Sequence, residues 1–211
     1  NSYYNVKADG SKDLITDMVT YQQNNKIERL EVEKTSDYNN ATKKYVGKSG
    51  IPTLQGGFGF DLAVKGFELN TTFSYSLGGY AYDGVYATLM SNNTPGSGNW
   101  HNDIENRWQK PGDVTDVPRF VLGQAAGPQN SSRYVHSTDH LRVKNLTLGF
   151  TLPDQWLTKL GVSKARLYFS GSNLLTWAKW DQYDPEVPVS GEVFCETPPM
   201  RTYSFGIEVS F

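Results

Sequence analysis

Apolar and polar residues alternate with period two in several separate stretches of the chain. In RTYSFGIEVSF, residues 201–211, Tyr203, Phe205, Ile207, Val209 and Phe211 are apolar, with Thr202, Ser204, Gly206, Glu208 and Ser210 between them. Side chains of an extended strand point alternately to opposite faces, so this pattern predicts a strand with one apolar and one polar face. Upstream, Phe58, Phe60, Leu62 and Val64 fall on even numbers. After Lys65-Gly66 the phase restarts on odd numbers with Phe67, Leu69, Phe73, Tyr75 and Leu77. Two such runs around a two-residue turn containing Gly predict a tight hairpin.

Two more runs follow. Leu146, Leu148, Phe150 and Leu152 alternate with polar residues, while Leu141 and Val143 sit in the opposite phase, which predicts a bulge near Lys144-Asn145. Pro153 ends that strand, and PDQWLTKLGVS (153–163) reads as a turn with at most one helical turn. Ala165, Leu167, Phe169, Gly171, Asn173, Leu175 and Trp177 then form one face of a further strand, and Arg166, Tyr168, Ser170, Ser172, Leu174 and Thr176 the other.

The pattern therefore predicts five strands, near 53–64, 67–80, 141–152, 165–177 and 201–211. Their connections are unequal: 65–66 and 153–164 are short, whereas 81–140 and 178–200 are long and polar. Residues 1–50 are a third long polar stretch, in which only KIERLEVEK (26–34) hints at local order. In consecutive antiparallel strands, alternate connections lie at opposite ends of the sheet. All the short connections here fall at one end and all the long ones at the other, which is the plan of an outer-membrane β-barrel. Strands of this length also suit a bilayer. A soluble β-sandwich alternates in the same way, so pattern alone leaves a secreted sandwich open.

Composition narrows the partners. Over 211 residues the formal charge is −2, which gives no electrostatic footing for nucleic acid. Aromatic residues make up 13% of the chain, far too many for a disordered segment. The single cysteine, Cys195, excludes an internal disulfide. No apolar run approaches the length of a transmembrane helix, and the first residues lack a signal pattern. The opening NSYYNVKADG reads as the interior of a longer chain.

Three stretches carry a family resemblance: 45–90, then DHLRVKNLTLGFTLP (139–153) with ARLYFSGSNLLTWAKWDQYDPEV (165–187), and the terminal RTYSFGIEVSF. Within them the matching elements are Gly56-Gly57, Tyr75-Ser76-Leu77-Gly78-Gly79 followed by Tyr82-Asp83, Leu141 to Asn145, Ser172 to Thr176, Asp184-Pro185-Glu186 and Arg201 to Gly206. In this order and spacing they resemble the C-terminal end of the SusC/RagA family of TonB-dependent outer-membrane transporters of Bacteroidetes. The resemblance implies an all-β fold in which residues 1–211 are the C-terminal antiparallel strands of a transmembrane barrel of about 22 strands. It further implies a multi-pass outer-membrane location, short periplasmic turns and long extracellular loops. A plug domain, absent from this sequence, would fill the barrel. A SusD-like surface lipoprotein would cap it, and energy relayed through TonB would drive import of glycan oligosaccharides or peptides. Tyr203, Phe205, Ile207, Val209 and Phe211 would face outer-membrane lipid, and Phe211 would be the signal read by the barrel-assembly machinery. The polar rows, including Glu68, Asn70, Thr72, Ser74, Asn145 and Thr147, would line the lumen. The rival functions are a secreted carbohydrate-binding sandwich and a passive porin.

No catalytic constellation is legible, and the chain reads as a non-enzyme without cofactor or metal. His136 and His140 are four apart, but on a strand that spacing is about 13 Å, too far to share an ion. Asp181, Asp184 and Glu186 could hold Ca²⁺, though a solvated acidic loop or a structural turn explains them as well. Asp9-Gly10-Ser11-Lys12-Asp13 lacks the remainder of an EF-hand loop. The long segment 81–140 carries Tyr82, Tyr86, Trp100, Trp108, Phe120 and Tyr134 among polar residues. Sugars present apolar faces and hydroxyl rims, so Trp100, Trp108 and Tyr86 are candidate substrate contacts, with packing against a lid partner as the alternative. Tyr80, Trp177 and Trp180 lie at strand ends on the long-loop side, where an aromatic belt at the membrane interface is expected.

Overall fold

The computed structural model describes residues 1–35, 37–91, 98–119, 130–157, 161–194 and 196–211. Phe120 and Cys195 lie outside the described residues. The chain forms two compact units, Asn1–Lys48 with Tyr86–Ser132, and Ser49–Val85 with Arg133–Phe211.

In the first unit, β1 (Ser2–Val6), β2 (Lys12–Ile15) and β3 (Leu30–Glu33) form an antiparallel sheet in the order β2-β1-β3, with α1 (Met18–Asn24) between β2 and β3 in sequence. The β1–β2 connection is made by Asp9, whose Oδ1 accepts from the backbone N–H (2.9 Å) and hydroxyl (2.7 Å) of Ser11, next to Gly10 at φ 86°. Asp17 caps α1 by accepting from the Thr20 N–H at 3.0 Å. Asn5 is 2% exposed and fully satisfied: its amide donates to the Tyr21 hydroxyl and the Lys26 carbonyl, and its oxygen accepts from Glu28 N–H. One buried amide thus ties the sheet, the helix and the following segment together. Residues 1–50 hold more local structure than their polarity discloses, because polar side chains rather than an apolar face organise it.

The second unit is built on β4 (Leu54–Val64), β5 (Phe67–Leu77), β6 (Tyr80–Asp83), α2 (Gly84–Leu89), β7 (Val135–Ser137), β8 (His140–Thr151), α3 (Asp154–Leu157), β9 (Lys164–Ala178), β10 (Glu192–Val193) and β11 (Thr202–Ser210). The last residues of α2 belong to the first unit. The five long strands form one antiparallel meander in the order β11-β9-β8-β5-β4. A small sheet, β10-β6-β7, stands apart from it within the long connections.

Local chemistry sets the meander. Val64 pairs with Phe67 across Lys65 (φ 48°) and Gly66 (φ 86°), both left-handed, as a two-residue hairpin turn requires. The third predicted strand does carry a bulge. Thr72 and Phe73 pair with Asn145 and Val143, leaving Lys144 as the extra residue. That bulge returns Leu141 and Val143 to the same face as Leu146, Leu148 and Phe150, which resolves the phase reversal in the sequence. Opposite it, Asn173 adopts φ 53° where β9 steps from Ser172 to Leu175.

The strand predicted over 67–80 is shorter than its pattern. Gly78 takes φ 82° and donates its N–H to Asp139 Oδ1 at 2.6 Å, which turns the chain after Leu77. Tyr80 therefore opens β6 and pairs with Ser137 instead of continuing β5.

The register assembles two continuous faces. Val64, Phe67, Phe150, Leu167 and Ile207 lie in one row across the sheet, and Leu62, Leu69, Leu148, Phe169 and Phe205 in the next. Rings meet along this face, Phe58 on Phe73 at 4.8 Å, Phe67 on Phe150 at 4.3 Å and Phe169 on Phe205 at 5.0 Å. Yet Phe58 is 51%, Ile207 69% and Phe205 81% exposed. A sandwich would cover such a face with a second sheet. Among the described elements of this unit, no second sheet packs over it.

Candidate functional site

The opposite face of the meander is polar, and its charges are organised in two places. Toward the short-turn end, Arg166 on β9 reaches Glu68 on β5 through Nε (3.0 Å) and Nη2 (2.8 Å), and Glu208 on β11 through Nη1 (3.3 Å). The guanidinium crosses β8 at Gly149, where a Cβ would stand 3.0 Å from Arg166 Nη2 and 3.1 Å from Glu68 Oε2. Glycine at this point is what opens the path. Asn70 donates to Asp61 on the neighbouring strand.

Toward the long-loop end, Arg142 is 2% exposed and bonds two carboxylates, Asp184 at 2.6 Å and Glu186 at 2.9 Å. Lys144, at the bulge, adds an ammonium 2.6 Å from Glu186. Asp184 also accepts the Glu186 N–H at 2.9 Å, so Pro185 sits at the tip of a turn fixed at both flanks. Of the carboxylates considered as Ca²⁺ ligands, Asp184 and Glu186 are thus committed to cations of the protein itself, while Asp181 accepts from the Gln182 amide at 3.2 Å; no metal-type cluster occurs among the described residues. Burial of an arginine is sustained only with such pairing.

This turn stands against the polar face with a cleft on either side. One, of about 550 Å³, lies between it and the wall formed by Gln55, Ser74, Ser76 and His140; the other, of about 460 Å³, is lined by Arg142, Asn173, Tyr183 and Arg201. His140 Nδ1 is 2.8 Å from the Thr138 carbonyl. A carbonyl can only accept, so Nδ1 donates to it.

A third polar group lies beside the small sheet. His136 stacks on Trp180 at 3.6 Å between centroids, and the Trp180 indole N–H points to Asp83 at 3.4 Å. Burial pushes the His136 pKa down, opposed by the Asp83 charge. Burial and then the Asp83 charge push the Tyr183 hydroxyl up, so it stays protonated. His136 and His140 thus have separate environments and do not converge on one ion.

The candidate loop aromatics fall in the first unit. Tyr86 donates to Asp103 at 2.8 Å and meets the His101 ring edge-on at 4.9 Å. Trp108 is held by its backbone N–H on the Val117 carbonyl at 2.9 Å. Trp100 is 39% exposed. Of the residues expected in an aromatic belt, Trp177 is 54% exposed and pairs with Leu141 on the apolar face, whereas the Trp180 indole is engaged in loop packing. The role of Arg142 escaped sequence reading. Its signal was a charged residue within the strand LRVKN, and only the fold shows that Asp184-Pro185-Glu186 answers it.

Comparison with known proteins matches this geometry. No protein-family profile matches the chain. It is 31% identical over 192 residues to TonB-dependent receptor P3 of Formosa agariphila, covering 86% of this chain and 18% of that protein. It is 27% identical over 198 residues to TonB-dependent receptor SusC of Bacteroides thetaiotaomicron, covering 90% of this chain and 18% of that protein. Among solved structures, the RagAB peptide importer in its closed-closed state superposes with a TM-score of 0.68 at 26% identity, over 98% of this chain and 20% of that one. A further RagAB peptide transporter structure gives a TM-score of 0.68 at 25% identity, over 99% of this chain and 22% of that one. The chain therefore spans about a fifth of the length of these relatives. Its exposed apolar face, polar inner face and one-sided long loops are those of a barrel wall, and the chain belongs to the SusC/RagA family of TonB-dependent receptors, of whose β-barrel it is a segment.

Proposed function

We propose that the full-length protein containing this chain is an outer-membrane active importer of oligomeric nutrients, glycan oligosaccharides or peptides. It works with a SusD-like surface lipoprotein and is energised through TonB. The observation that carries this reading is the two-faced meander: an uncovered apolar face backed by a polar face whose long loops all emerge at one end. In lipid, only a closed barrel satisfies strand edges, so these strands act as part of a larger wall.

In this reading Tyr203, Phe205, Ile207, Val209 and Phe211 face lipid, and Phe211 is the cue for barrel assembly. Tyr80, Trp177 and Trp180 mark the outer interface. The long loops are extracellular, and Trp100, Trp108 and Tyr86 contribute to the substrate chamber or to its contact with the lipoprotein. The direct test is uptake of a labelled oligosaccharide or peptide mixture by cells carrying the full-length protein, with and without TonB. Uptake that requires both supports the reading. Steady conductance in a planar bilayer without TonB would instead mark a passive porin.

A further inference from the structure

We propose that the cleft between β5 and the Pro185 turn is a binding subsite on the barrel wall for an uncharged, hydroxyl-bearing ring, a neutral sugar unit of the cargo. The proposal rests on the importer reading above. The cleft has about 550 Å³ and two unlike walls. One is polar, with His140, Gln55, Ser74 and Ser76; the other is apolar, with Pro185 and Val187. A sugar ring has this same division, a rim of hydroxyls and faces of C–H groups.

The chemistry of the polar wall is specific. The His140 side chain is only 5% exposed, and its Nδ1–H is spent on the Thr138 carbonyl. Nε2 lies 3.9 Å from Glu186 Oε1, beyond hydrogen-bond reach. Nε2 is thus a fixed, nearly buried polar atom with no hydrogen-bond partner among the described residues, and a ligand hydroxyl, both donor and acceptor, supplies one. The Gln55 amide and Ser76 hydroxyl bond to none of the described residues and complete a mixed donor–acceptor edge.

Charge argues for a neutral ligand. Among the described residues, Glu186 is the one carboxylate on the cleft, and it is held by Arg142 at 2.9 Å and Lys144 at 2.6 Å. An ammonium, carboxylate or sulfate group entering here would give up its hydration for no free counter-charge. A hydroxyl exchanges its water for His140, Ser76 and Gln55 at little loss.

The test uses the full-length transporter, purified from outer membranes in mild detergent, on an array of neutral and acidic oligosaccharides and on a peptide array. Neutral oligosaccharides retained by the wild type should bind about tenfold more weakly to Gln55→Ala/Ser76→Ala, two surface changes, and to His140→Gln. Melting curves check that each variant folds; if His140→Gln does not, the double variant decides. Unchanged affinity in the folded variants overturns the subsite and leaves the importer reading standing. Wild-type retention of peptides or acidic glycans alone overturns the ligand class. Retention of nothing from either array counts against the importer reading as well.

Discussion

Arg142 Nη2 and Asp184 Oδ2 meet at 2.6 Å although 42 residues separate them in sequence. The guanidinium belongs to a strand of the barrel wall and the carboxylate to a long loop. Their bond, with that of Glu186 to the same arginine, folds the loop back on the polar face and makes the two clefts beside it.

Removing this arginine takes the cation from Asp184 and leaves Glu186 to Lys144 alone. Arg142→Met should destabilise the loop by about 2–4 kcal/mol, toward the lower end of the range for a broken buried pair because Glu186 is 29% exposed. Limited proteolysis of the full-length protein should then cut within 179–200 faster than in wild type. Adding Asp184→Asn should restore much of the resistance, since Asp184 then carries no charge and Glu186 keeps Lys144.

The apolar face gives a sharper contrast. Ile207→Arg should cost about 2–4 kcal/mol in vesicle-refolding measurements, as expected for a cation on the lipid side near the bilayer middle. Ser204→Arg, on the opposite face of the same strand, should be nearly neutral. Equal penalties at the two positions would contradict a lipid-facing row.

Gly149 keeps open the path by which Arg166 reaches Glu68. Gly149→Leu should sever that pair, while Gly149→Ala displaces only flexible side-chain ends. In a double-mutant cycle, the melting shift caused by Glu68→Gln in the wild-type background should vanish in the Gly149→Leu background.

Acid should loosen the cluster around His136. Its folded pKa is depressed, first by burial and with partial opposition from Asp83, so the folded state prefers the neutral ring. The resulting stability is complete above the unfolded pKa of about 6.5 and is lost as pH falls through the depressed folded value. Hydrogen exchange at residues 80–83 and 135–137 should therefore speed up between pH 7.5 and 5 beyond the intrinsic pH effect. His136→Phe, which keeps the stack on Trp180, should remove that dependence.

The long strands were legible because period-two alternation is a local property, written into each segment by the need to place apolar side chains on one face. The bulge at Lys144 was legible for the same reason, as a reversal of phase between Val143 and Leu146. The first unit was not. Asn5 organises it through bonds to Tyr21, Lys26 and Glu28, and a buried amide with distant partners leaves no periodic trace.

The sequence by itself determined which residues form the wall, which face of each strand is apolar and which connections are long. Those features follow from strand geometry and turn chemistry over a few residues. Only the tertiary structure decided that Arg142 answers Asp184 and Glu186, that Trp180 lies on His136, and that His140 faces a cleft. Each of these joins residues far apart in the chain, and which charge finds which partner depends on the sheet register that brings them within a few ångströms.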